Sequence, residues 1–68
     1  MALRTLRTRL ARERKIPPYL ILHNRTLEEI ASLAPRDEAG LLAVKGIGPN
    51  KLADIGEDIL ATIRKVSD

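Results

Sequence analysis

Leu41–Gly56 reads LLAVKGIGPNKLADIG, with apolar residues at helical spacing on both sides of a Gly-Ile-Gly turn. Leu41, Leu42 and Val44 belong to one helical segment, which should stop at Gly46. Pro49 then takes a natural first-turn position, since its fixed φ suits a helix start and its missing N–H would be unpaired there anyway. From there Leu52, Ile55, Ile59, Ile63 and Val66 recur at spacings of three and four, the stripe of an amphipathic helix. Gly56 is expected to divide this stretch into two helices. Asp54, Glu57 and Asp58 early, and Arg64 and Lys65 late, suit the macrodipole of the last one.

Working back toward the N-terminus, ALRTLRTRLARERK sets Leu3, Leu6 and Leu10 on one stripe. At about 100° per residue, Arg4, Arg9, Arg12 and Lys15 turn away from it, while Arg7 and Arg14 flank it. IPPYLIL cannot prolong this helix, because Pro17 and Pro18 remove two donors and Pro17 disfavours helical angles at Ile16. An extended or single-turn connector is expected there. Thr26 with Glu29 three residues on has the form of a capping box, so a second helix should start at Thr26 with Leu27, Ile30 and Leu33 as its inner face. Pro35 interrupts, and Asp37 is the expected cap of the third helix. No segment alternates as a half-buried strand does, and hairpin turn pairs are missing. The chain reads as all-α, with four or five short helices.

The 68 residues suffice for one small domain, and 44% hydrophobic with 31% charged residues marks a globular chain rather than a disordered one. Without cysteine, neither a disulfide nor a thiolate metal site can hold it together. The apolar runs fall far short of the roughly 20 residues of a membrane helix, and no signal peptide opens the sequence. It reads as soluble and unexported, inside the cell. The net charge of +3 is unevenly spread: from Met1 to Arg25 seven bases face the single Glu13, whereas acids outnumber bases from Thr26 onward. Such polarity suggests one face that attracts polyanions.

In Gly46-Ile47-Gly48, the glycines permit positive φ and close approach, and Ile47 can turn inward as an anchor. A turn of this kind aims N–H groups and the following helix start at a common point, where a phosphate could sit without any base being read. Gly46, Ile47, Gly48 and Asn50 would supply the donors; Pro49 supplies none. With Lys51 behind it, the pattern resembles the helix-hairpin-helix motif of nonspecific DNA-binding proteins. The structural alternative is a joint in which the glycines only end one helix and let the next pack closely.

Over nearly its whole length the sequence resembles the HRDC domain, the accessory module of RecQ-family helicases and of ribonuclease D. The similarity is carried by Leu3 to Arg7, by Ile16-Pro17-Pro18-Tyr19, by Thr26-Leu27 with Ile30-Ala31, by Pro35, and by Gly46-Ile47-Gly48 with Lys51. Ile55 and Ile59 stand where that family often has aromatic residues. The resemblance implies a compact five-helix bundle that is a single module of a larger protein, without catalytic activity or cofactor. It implies a role in positioning a helicase on DNA during repair or recombination, in the bacterial nucleoid or the nucleus. DNA and other domains of the parent helicase are the implied partners of what should be a monomer.

Tyr19, the sole aromatic residue, could stack on an unpaired base or pack its ring on the core. Arg4, Arg9 and Arg12 could contact phosphates or merely form a solvated face; Arg25, Lys45 and Lys51 would join them if the fold brings them near. His23 has no second histidine or cysteine at ligand spacing, and it reads as a capping or partly buried side chain. Glu28 with Glu29, and Glu57 with Asp58, are neighbours about 100° apart on helices and do not converge on a substrate. No metal site, catalytic residue or P-loop is discernible. The rival to a DNA-binding module is a protein-interaction module, using the acidic residues or an exposed apolar patch.

Overall fold

The computed structural model describes residues 2–67. Among the described residues five helices follow in order: α1 (Ala2–Arg14), α2 (Pro18–Ile21), α3 (Asn24–Leu33), α4 (Glu38–Leu42) and α5 (Pro49–Ser67). α1 packs on α2, α3 and α5, and α5 also packs on α4. The radius of gyration, 10.8 Å, equals the roughly 11 Å of a compact chain of this length.

The apolar stripes of α1 and α5 face each other. Leu3, Leu6, Leu10 and Ala11 share one core with Ile55, Ile59, Leu60 and Ile63, and it is completed by Ile21, Leu22, Leu27, Ile30, Leu41, Val44 and Ile47. Each such side chain contributes about 1.5–3 kcal/mol by leaving water. Leu60 belongs to this core although it lies off the single row of the stripe; α5 has neighbours on two sides, so its buried face is wider.

α1 ends in a Schellman motif. Lys15 adopts φ 56°, its N–H donates to Arg12 and that of Ile16 to Ala11, and Ile16 packs against the core. The connector forms one helical turn, α2, with Pro18 at its first position. Asp37 caps α4 by accepting from the Gly40 N–H at 2.7 Å.

Several expectations are corrected. α3 starts at Asn24 after His23, which makes no side-chain cap bond. Thr26 therefore lies inside the first turn, 5% exposed, with its side chain against Gly46 of the glycine loop. Leu33 and Val66 are 57% and 68% exposed and lie outside the core. α4 ends at Leu42, before Gly46, and Ala43–Gly46 form a turn.

Gly56 does not divide α5, which is continuous from Pro49 to Ser67. It serves a packing purpose instead: a Cβ there would stand 2.7 Å from Leu52 Cδ1 and 3.7 Å from Leu41 Cδ2. The bare glycine leaves room for the Leu52 side chain one turn back on the same helix, while Leu41 of α4 stands at ordinary contact distance.

Candidate nucleic-acid interface

α1 turns its stripe inward, so its opposite side carries Arg4, Arg9 and Arg12, which the structure brings together. With Thr5, Thr8 and Glu13 they line one open, shallow groove. Arg9 approaches Glu13 at 3.8 Å across one helical turn, both side chains about 60% exposed; such a pair holds its arginine only weakly.

Not every base of the N-terminal part faces solvent. Arg7, 7% exposed, points into the bundle and donates through one guanidinium nitrogen to the Leu22 carbonyl at 2.9 Å and to Asn24 Oδ1 at 2.7 Å. Its Nε is buried without a hydrogen-bond partner. Arg14 grips Asp54 with two bonds of 2.6 and 2.9 Å. That contact raises the arginine pKa and lowers the Asp54 pKa, chiefly through the hydrogen bonds and secondarily through the charge. These two arginines join helices.

A second depression lies between α2 and the glycine loop, lined among others by Tyr19, His23, Thr26, Gly46 and Lys51. Tyr19 is 57% exposed, and its ring centre lies 6.5 Å from that of His23, tilted by 31°. The adjoining Leu20 is half exposed. Lys51 reaches across from the first turn of α5: Nζ donates to the Ile21 carbonyl at 2.7 Å and lies 3.4 Å from that of Leu20. Arg25, Lys45 and Asn50 are exposed at the start of α3, before the loop and at the start of α5, outside both depressions.

The two loop glycines differ. Gly46 has φ 99°, and a Cβ on it would meet Thr26 Oγ1 at 2.6 Å, so its freedom serves packing on α3. Gly48 does not share the positive φ, and a Cβ there would have nothing within 4 Å. Between them Ile47 is buried, and its N–H donates to Val44, which removes it from the donors a phosphate could use. Gly48 accepts from Leu52 as the first intrahelical bond of α5, leaving the Asn50 and Lys51 N–H groups at the open end of the helix.

The family model described as "HRDC domain" matches residues 1–63. The chain belongs to the HRDC domain family. ATP-dependent DNA helicase UvrD2 of Mycobacterium tuberculosis is 39% identical over 64 residues, which span 94% of this HRDC domain and 9% of that helicase. ATP-dependent DNA helicase RecQ of Haemophilus influenzae is 35% identical over 63 residues, or 93% of the domain and 10% of that protein. The solved structure of D. radiodurans RecQ HRDC domain 3 superposes with a TM-score of 0.95 at 39% identity, covering 98% of this chain and 88% of the other. The HRDC domain thus spans about a tenth of the length of these curated helicases.

Three features of this HRDC domain escaped the sequence reading. Arg7 lies four residues after Leu3 and three before Leu10, an apolar position occupied by a base, and that conflict was the available signal. The exposed Leu20 and the link from Lys51 to α2 depend on tertiary geometry that no local pattern carries. Among the described residues, no group of three or more His, Cys, Asp or Glu could hold a metal ion, and no helix is long and apolar enough to cross a membrane.

Proposed function

We propose that this HRDC domain is a non-catalytic DNA-holding module of a larger helicase, contacting backbone phosphates weakly and without base-sequence specificity. The observation that carries this reading is the α1 groove, where Arg4, Arg9 and Arg12 face solvent together and Glu13 is the sole acid among the lining residues. Guanidinium groups suit phosphates by their fork of donors, and Arg25 and Lys45 add exposed charge. Tyr19 offers a face for one unpaired base. With no second aromatic in the chain there is no multi-base platform, so affinity rests on phosphates.

Nonspecific contacts of this number give dissociation constants of ~10⁻⁴ to 10⁻⁶ M at physiological salt. Tethering to a motor domain would raise the effective concentration of DNA and make that weakness useful. The test is fluorescence anisotropy of labelled single-stranded, duplex and forked DNA across a salt series, with wild type and an Arg4→Ala, Arg9→Ala, Arg12→Ala variant. Binding should weaken steeply with salt. The variant should lose roughly two units of the log K against log salt slope on single strands, given about 0.7 per phosphate.

One observation favours contact with protein instead. An apolar groove lined by Leu3, Ile30, Ala31, Ala34, Ile63 and Val66 opens between α1, α3 and α5. Absence of DNA binding at low salt, with the helical signal intact, would overturn the phosphate reading and leave that groove as the surface to pursue.

A further inference from the structure

α2 is only four residues long, and a single helical turn has little stability of its own in water. Its own backbone bonds run from Leu20 to Pro17 at 3.0 Å and from Leu22 to Pro18 at 3.3 Å. Where Tyr19 points therefore depends on what holds this turn from outside. Pro17 and Pro18 stiffen the entry, and Ile21 anchors one side in the core. At the exit the carbonyls of Leu20 and Ile21 face Lys51 Nζ, at 3.4 and 2.7 Å.

Those bonds take two of the three ammonium donors. Moving Nζ to a phosphate would strip the partly buried Ile21 carbonyl of its charge-assisted partner. We propose that Lys51 is a positioning residue: its ammonium braces α2 so that the Tyr19 ring stays presented at the surface where an unpaired base would stack. This rests on the reading of Tyr19 as a DNA contact. It separates Lys51 from the arginines of α1, which act as charges, and makes the lysine act through the aromatic ring.

The experiment uses the 68-residue chain as wild type, Lys51→Met, Tyr19→Ala and the double variant, titrated into fluorescein-labelled oligo-dT over a salt series. Lys51→Met keeps the stem and removes the donors, and circular dichroism verifies its fold. Tyr19→Ala should weaken binding roughly five- to 150-fold, the loss of one stacked base. Lys51→Met should weaken it by no more than that, leave the salt slope unchanged, and add nothing in the Tyr19→Ala background.

A slope lowered by about 0.7 in Lys51→Met, or a further loss in the double variant, overturns the brace and makes Lys51 a phosphate contact. A Tyr19→Ala chain that binds like wild type overturns the reading of Tyr19 together with the brace built on it. Because Tyr19 is the sole tyrosine and there is no tryptophan, its intrinsic fluorescence reports on the brace without DNA. Lys51→Met should lower the steady-state anisotropy of that emission, and an unchanged value counts against the brace whatever the DNA result.

Discussion

Gly46 and Thr26 are packed so closely that a methyl group on the glycine would stand 2.6 Å from the threonine Oγ1. The loop between α4 and α5 is pressed onto the first turn of α3 at this point. Since Gly46 also has φ 99°, Gly46→Ala should cost about 2 kcal/mol or more, lowering the melting temperature by roughly 10 °C. Gly48→Ala should melt within a few degrees of wild type, as its Cβ enters open space. Thermal denaturation of the two variants side by side checks the contrast.

Arg7 should prove the most demanding charge in the domain. Truncating it to alanine leaves the Leu22 carbonyl without its donor and opens space beside the core, at a cost of about 2–4 kcal/mol in urea unfolding. Arg7→Met, which refills the space, should recover part of that loss. Equal stability of Arg7→Ala and wild type would contradict the buried geometry.

The Arg14–Asp54 pair predicts an acid-dependent stability. Asp54 has its pKa lowered in the folded chain, so its contribution is present above the unfolded carboxylate pKa of about 4 and is lost as pH falls through the lower folded value. Asp54→Asn should therefore flatten the decline in melting temperature as the pH falls below about 4. Because the pair is exposed, high salt should shrink the effect.

Lys15 and Ala34 both adopt left-handed backbone angles, with φ 56° and 45°. Lys15 closes the Schellman motif of α1, and Ala34 caps α3 with its N–H on the Ile30 carbonyl. Glycine at either position should stabilise the domain by about 0.5–1 kcal/mol, measurable as a higher melting temperature.

The all-α fold was legible because each helix carries its own local instruction: the leucine stripe of α1, the cap at Asp37, the first-turn proline of α5. Gly56 misled because glycine is a weak helix former taken alone, while its value here is the room it leaves for the way the Leu52 side chain packs. Thr26 misled for a similar reason, as the capping pattern fits the letters but Asn24 and Arg25 already have helical angles. Of the candidate site, the arginines of α1 follow from helical phase. Which glycine faces solvent, and what the Lys51 ammonium touches, depend on how α2, α3 and α5 meet.

The bare total of +3 understates what an approaching polyanion would feel. At physiological ionic strength a charge is sensed over about 8 Å, less than half the shortest dimension of the domain, 19 Å. Acids beyond that range are largely screened at the α1 groove, where three arginines outnumber one glutamate. The domain therefore has a local potential rather than a global one, and a long-range view of it as nearly neutral gives way, within a few water layers, to a strongly cationic strip.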